Sequence, residues 1–374
     1  METEVVEDIV IVGAGIAGLT TSLGLHRLGI RSLVLESSDT LRITGFALTL
    51  WDNAWKALDA VGVGDILRQQ HVQLSGNVTT SLVTGKQTST TPFKARGKDG
   101  AFEIRCVKRQ LMLEALVNEL PSGTIRFLSK VVAIEESGYY KILHLADGTA
   151  IKTKVLIGCD GVNSGVAKWL GFKEASFTGR YAVRGFAESK SNHWLDPKFM
   201  QFFGKGFRAG AIPCDEKTVY WFFTWTPTSQ VPLRYRHPLE LMLGNISKGN
   251  VCVVGDAFHP MTPDLGQGGC CALEDGVVLA RCLAEAFSKE PWRHVKEKDE
   301  EEYQYKRIEG CLKKYANHRR WRSIDLTATS HMVGSIQQGE SKFVTFLRDT
   351  ILAAFLGSLL LKKSKYDCGE LNSS

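Results

Sequence analysis

Residues 255–275 read GDAFHPMTPDLGQGGCCALED and follow the apolar run VCVV at 251–254. An apolar run that stops on an acid, Asp256, reads as a buried strand ending at a sheet edge. His259, Pro260, Pro263 and then Gly266, Gly268 and Gly269 lead into a helical pattern at 272–288. Pro263 stiffens the approach, and the glycines let a flat ligand lie against bare backbone. The N–H groups of the helix they open would face a ligand edge that gathers negative charge.

A second glycine loop lies far upstream. Residues 10–18 read VIVGAGIAG. A buried strand at 8–12 runs into the loop, a helix at 15–28 follows, and a second strand at 31–36 ends on Glu36. Gly13, Ala14, Gly15, Ile16, Ala17 and Gly18 form the pattern G-x-G-x-x-G. Gly13 permits the tight turn, Gly15 lets backbone approach a pyrophosphate, and Gly18 lets helix and strand pack closely. The helix N-terminus offers free N–H groups to phosphate. Glu36 can accept hydrogen bonds from a ribose diol. This is a dinucleotide-binding βαβ unit, and by itself it does not separate FAD from NAD. A third strand, VLIG at 155–158, leads into Cys159, Asp160 and Gly161. If these strands share one sheet, Asp256 lies beside the first loop and the two glycine loops serve one ligand.

Outside these loops the pattern divides the chain. Segments 1–70, 106–172 and 241–290 carry the βαβ and strand-acid motifs. Segments 71–105 and 173–240 read as strands of a second unit, and 291–374 as helical. Residues 107–120 have helix periodicity, and 175–227 alternate as an antiparallel sheet rich in aromatics. Most of those aromatics are expected to fill a core. The expected fold is therefore α/β, with a discontinuous Rossmann-like domain, an inserted mainly antiparallel sheet and a C-terminal helical region.

Hydrophobic content of 44% and charged content of 23% fit a soluble globular protein. The net charge of +6 is a mild excess, and the short basic patches at 319–322 and 362–365 do not argue for nucleic acid. Nine cysteines without a CxxC pair give no zinc or disulfide pattern, so no metal is expected. Free thiols fit a reducing compartment, and a cytoplasmic location is expected. The apolar run at 351–361 is too short to span a bilayer. It reads as a docked helix, with peripheral membrane contact through Lys362 and Lys363 as the alternative.

Taken together, GAGIAG with Glu36, CDG at 159–161 and residues 255–275 resemble the group A flavoprotein monooxygenases, the aromatic hydroxylases of the p-hydroxybenzoate hydroxylase type. The wording is similar to the plant branch that resembles salicylate hydroxylase and zeaxanthin epoxidase. The resemblance implies an FAD-binding domain of the glutathione-reductase type. It assigns Gly13, Gly15 and Gly18 to the FAD pyrophosphate, Glu36 to the adenosine ribose and Asp256 to the ribityl chain. Arg109 matches an arginine near the flavin phosphate, its plain alternative being a surface helix charge; Arg42 could also reach phosphate. Asp160 and Gly161 match a motif linked to both FAD and NAD(P)H. Pro263, Gly266, Gln267, Gly268 and Gly269 match the wall beside the isoalloxazine ring.

The implied reaction uses NADH or NADPH and O₂ to hydroxylate a small aromatic or hydrophobic substrate through a flavin C4a-hydroperoxide. No side-chain nucleophile is required. Arg184 either binds a substrate carboxylate or pairs with a local acid. His259 either faces the flavin or satisfies a loop carbonyl. Tyr181, Phe203 and Trp225 are candidates for an apolar substrate pocket. The family usually places more sequence between the DG and GD motifs, and roughly 30 to 40 residues are expected to be missing. Two alternatives follow: an isoprenoid epoxidase of the same family, or an FAD-binding but catalytically impaired variant with a regulatory role.

Overall fold

The computed structural model describes residues 6–43, 46–93, 102–192, 195–226, 234–288, 297–337 and 353–371. In chain order the strands are β1 (Val6–Val12), β2 (Leu33–Leu35), β3 (Ala47–Leu50), β4 (Gly76–Ser81), β5 (Gln87–Pro92) and β6 (Arg105–Lys108). Then come β7 (Ile125–Arg126), β8 (Val131–Ser137), β9 (Tyr140–Leu145), β10 (Ala150–Gly158), β11 (Ser176–Phe177) and β12 (Tyr181–Glu188). The last are β13 (Lys198–Phe203), β14 (Phe207–Pro213), β15 (Thr218–Trp225), β16 (Arg234–Tyr235), β17 (Ser247–Lys248) and β18 (Val251–Val253). The helices are α1 (Ile16–Arg27), α2 (Asp52–Ala60), α3 (Gly64–Gln70), α4 (Arg109–Asn118), α5 (Gly165–Trp169), α6 (Pro238–Leu243), α7 (Gly268–Phe287), α8 (Glu297–Gln337) and α9 (Ala353–Lys363).

Strands from three distant parts of the sequence make one sheet, in the order β17-β18-β10-β1-β2-β7, with β9 and β8 added beside β10. The pairs β1–β10, β1–β2, β10–β18 and β2–β7 are parallel. Ile9–Ile11, Val155–Ile157 and Val251–Val253 are fully buried. Helices cover the faces of a parallel sheet, so its central strands must be apolar throughout; this is why these runs do not alternate. Register decides what happens at the ends. Val12 lies opposite Gly158 and Leu35, and Gly158 lies opposite Val253. Gly13, Glu36, Cys159 and the loop after Val253 therefore leave the sheet at one carboxyl edge, the usual place for a ligand crevice.

Two helices meet over this edge. A Cβ on Gly24 of α1 would come within 2.8 Å of the Ala280 methyl of α7, and one on Gly276 of α7 within 2.8 Å of Thr20. The glycines allow α1 and α7 to cross at close range. Gly255 (φ +60°) similarly faces the Ala17 methyl, so the second loop rests on the first.

The second sheet has the order β12-β15-β14-β13-β4-β5. It is antiparallel except for β13, which runs parallel to β4. The pair β3–β6 lies in a separate two-stranded sheet. α9 rests on β5, where a Cβ on Gly357 would strike the Thr91 side chain. Its Leu356 and Leu360 are buried while Phe355 stays exposed, so this apolar run is largely a docked helix. Among the described residues, no helix is long and apolar enough to cross a membrane.

Two local expectations are corrected. Val107 and Lys108 belong to β6, which pairs with β3, and helix α4 starts only at Arg109. α7 starts at Gly268 rather than Ala272, so the two glycines are its first turn. Residues 227–233, where the sequence suggests an abrupt join, and residues 351–352 lie outside the described residues.

Candidate active site

One cavity of about 620 Å³ opens between the two sheets. Its first wall is built from Gly15, Ile16 and Ala17, from Leu48 to Trp51, from Arg109, and from Gly161 to Asn163. The second loop adds Asp256, Pro263, Gly266, Gly268 and Gly269. The opposite wall is the six-stranded sheet. Ala182 and Arg184 (β12), Phe199 and Gln201 (β13), Arg208 and Ile212 (β14), and Tyr220, Phe222 and Thr224 (β15) line it. These are alternate positions on each strand, the face that a period of two presents to one side.

The residues present fit a dinucleotide. A Cβ on Gly13 would lie 2.4 Å from the Cys159 carbonyl oxygen, and one on Gly18 would lie 2.0 Å from that of Gly13. Gly15 has nothing within 4 Å of its Cβ position, so open space lies over the first N–H groups of α1. α1 has no side-chain cap and no acid in its first turn, and the same holds for α7. Two uncapped helix N-termini thus border one cavity and leave donors for negative groups. Glu36 is buried and accepts from the Ala14 and Ser38 N–H groups, both at 2.9 Å, which fixes it behind the first loop.

Charges in the cavity are sparse and mostly positive. Asp256 opens onto the cavity although protein surrounds it. Burial raises its pKa, and His259 and Arg109 oppose that rise. Burial likewise lowers the Arg109 pKa, with Asp256 pulling the other way. Arg109 Nε donates to the Arg42 carbonyl at 3.3 Å, which turns the guanidinium inward. The Arg184 side chain makes no hydrogen bond or ion pair among the described residues. Asp264, in contrast, is held between Arg180 (2.9 Å) and Arg208 (3.1 Å), all three buried. Arg208 also reaches Gln337 of α8 and lies over the Phe222 ring.

Several sequence candidates sit behind the cavity rather than on it. Asp160 caps α5, accepting from the Gly165 and Val166 N–H groups and the Ser164 hydroxyl. Gln267 turns its side chain inward to accept from Asn53 at 2.9 Å. Arg42 is exposed and donates to Ser37 and Ser38. His259 neither borders the cavity nor bonds a loop carbonyl through its side chain. It is fully buried and contacts Asp275 at 2.6 Å and Cys271 at 3.4 Å. Asp275 also accepts from Gly255 N and Arg319 Nε, which ties the second loop to α7 and α8. The His259, Cys271 and Asp275 ligand atoms lie within 4.8 Å of one another, and the Arg319 guanidinium already sets a positive charge beside Asp275.

The apolar pocket candidates need a correction. Tyr181 and Trp225 stack on each other on the outer face of the second sheet, 6.0 Å between ring centres. Phe203 is buried but does not border the cavity. A slip of one residue in a strand exchanges faces, and the even-numbered neighbours Ala182, Tyr220, Phe222 and Thr224 are the inward set. Gln201, Arg208, Tyr220 and Phe222 also border the cavity, and the sequence alone placed none of them there. The alternation along 199–201 and 220–224 carried the signal, but the aromatics on both faces masked it.

A discontinuous parallel sheet with two glycine loops facing one cavity defines a flavin-dependent enzyme fold. The chain belongs to the family described as FAD binding domain, which it matches over residues 6–234 and 239–300. Proteins similar to it carry the names monooxygenase and FAD-dependent hydroxylase. It is 51% identical to Monooxygenase 2 of Arabidopsis thaliana, covering 99% of this chain and 100% of that one. It is 35% identical to Monooxygenase 1 of the same plant, covering 97% and 99%. Among solved structures, FAD- and uric acid-bound HpxO of Klebsiella pneumoniae matches with a TM-score of 0.77 at 21% identity, covering 98% of each chain. The alignment with Monooxygenase 2 spans 409 positions against the 374 residues here, so at least 35 positions of the relative have no counterpart.

Proposed function

We propose that the chain hydroxylates a small aromatic substrate, preferentially an acid, with NADH or NADPH as reductant. One observation carries this reading: the cavity bordered by both glycine loops is also bordered by an aromatic sheet face and by Arg184, whose side chain has no hydrogen-bond or ion-pair partner among the described residues. In this reading Gly13, Gly15, Gly18 and the N–H groups of α1 hold the FAD pyrophosphate, assisted by Arg109. Glu36 accepts from the adenosine ribose, and Asp256 from a ribityl hydroxyl. Pro263 and Gly266 to Gly269 form the wall beside the ring, with the α7 N–H groups aimed at it. Bound flavin, once reduced, supplies the electrons and activates O₂. The chain's own part is to position and to exclude water. Phe199, Ile212 and Phe222 present an apolar surface, and Arg184 anchors a negative group on the substrate. Burial pushes the Tyr220 phenol up to about 12, so it remains an O–H donor throughout the neutral range. The names of relatives that act on urate and 6-hydroxynicotinate support a small, flat substrate.

The test is to purify the protein, record its visible spectrum and follow NADH and NADPH oxidation with a panel of phenolic acids. Oxidation coupled to a hydroxylated product is the expected result. If the 35 or more positions unmatched against Monooxygenase 2 fall between the DG and GD motifs, as the family resemblance implies, they favour one competing reading, a flavoprotein whose substrate side leaks. Peroxide release in place of product would select it. A protein that cannot be loaded with FAD would sink both.

A further inference from the structure

A single register row crosses the second sheet on its cavity side: Gln201 of β13 lies opposite Gly210 of β14, which lies opposite Phe222 of β15, which lies opposite Arg184 of β12. Gly210 has no side chain because the Phe222 ring occupies that place; a Cβ there would come within 2.4 Å of the ring. The ring thus leans over β14 toward Gln201. Gln201 borders the cavity and is almost completely buried. Its Nε2 donates to Asn77 Oδ1 at 2.7 Å, and Asn77 donates onward to Thr79 Oγ1 at 3.2 Å. That relay sets which way the amide points. The remaining Gln201 oxygen, Oε1, has no hydrogen-bond partner among the described residues. An unpaired buried carbonyl carries an unrecovered desolvation cost, which a binding site regains when its ligand brings the donor.

We infer that Gln201 is a specificity-determining residue that accepts a hydrogen bond from a hydroxyl or N–H group of the substrate, at the end of the ring remote from Arg184. The inference rests on the reading of this sheet face as the substrate wall. Three strand spacings separate the Gln201 and Arg184 backbones, about 14 Å. Side chains reaching inward from both ends leave room for a one- or two-ring acid. The substrate class is therefore an aromatic acid with a donor opposite its acid group, lying on Phe222.

The test measures binding, so it does not need turnover. FAD-loaded protein is titrated with 4-hydroxybenzoate and 4-methoxybenzoate, and with 6-hydroxy-2-naphthoate and 6-methoxy-2-naphthoate, following the flavin absorbance. The hydroxy member of at least one pair is expected to bind at least tenfold tighter than its ether. Gln201→Met, which removes the acceptor at similar length, is expected to abolish that preference. Gln201→Glu, which keeps an acceptor, is expected to retain it. FAD content and visible spectrum report whether each variant has folded, and the wild-type pairs together with Gln201→Glu decide the matter if Gln201→Met has not. Equal binding of each pair, a preference that survives in Gln201→Met, or no flavin response to any probe overturns the inference. Donor-selective binding without hydroxylation would leave it standing and count against the monooxygenase reading alone.

Discussion

Glycines of the same motif face different constraints, and the difference separates folding from cofactor binding. Gly15 has φ −85° and ψ −172°, open to any residue, and empty space around its Cβ position. Gly15→Ala is expected to leave the stability of the FAD-free protein within about 1 kcal/mol of wild type, yet to weaken FAD binding at least tenfold by filling the space for the pyrophosphate. Gly18 meets the Gly13 carbonyl oxygen, a backbone atom that cannot step aside. Gly18→Ala is expected to cost roughly 1–3 kcal/mol of stability whether or not FAD is present. Thermal melts of the apo forms and fluorescence titration with FAD check both. A Gly15→Ala protein that melts early but binds FAD normally would refute the assignment.

At the scale of elements, two buried ion clusters hold the second loop. Asp264 joins the Pro263–Leu265 turn to β14 and, through Arg208 and Gln337, to α8. Asp264→Ala strands two buried arginines and is expected to destabilise by about 3–5 kcal/mol, measured by urea unfolding. Asp275 joins Gly255, His259 and Arg319. Burial alone would raise its pKa, but His259 and Arg319 more than offset this and hold it at about 2. Because the folded value lies below the unfolded one, this stabilisation is complete above about pH 4 and fades as pH falls toward 2. It amounts to roughly 2–3 kcal/mol. Asp275→Asn is expected to lose that part of the acid dependence; an unchanged pH profile between 4 and 2 would contradict the linkage. The same scale shows where sequence reading slips. Tyr181 and Trp225 were expected in the pocket, but both faces of β12 and β15 carry aromatics, so composition could not select a face. His259 follows an acid in a loop and looks free to reach a ligand, until α7 and α8 bring Asp275 and Arg319 against it.

At the scale of the whole molecule, the cavity lies between two sheets that share no strand. A ligand that fills it stabilises both only if it binds the folded chain. FAD at one hundred times its Kd is expected to add about 2.7 kcal/mol, a rise of several degrees in Tm that scales with FAD concentration. Calorimetry with and without FAD checks it, and a Tm indifferent to FAD would show that the folded chain does not bind it. The sequence by itself determined the βαβ unit, the buried runs that end at residues 158 and 254, and both glycine loops. Those features are local: buried strands must be continuous apolar runs, tight turns need glycine, and an acid at a strand end is visible in one dimension. Only the tertiary structure decided which residues share the cavity. Arg184, Phe222 and Gln201 lie on three strands, and a shared register, not sequence distance, aligns them. Asp160, Gln267 and His259 lie within the motifs, yet hydrogen bonds to distant or capping groups draw their side chains away from the cavity. Burial leaves no polar group free to choose solvent, so the partner each one finds is fixed by packing of the whole chain.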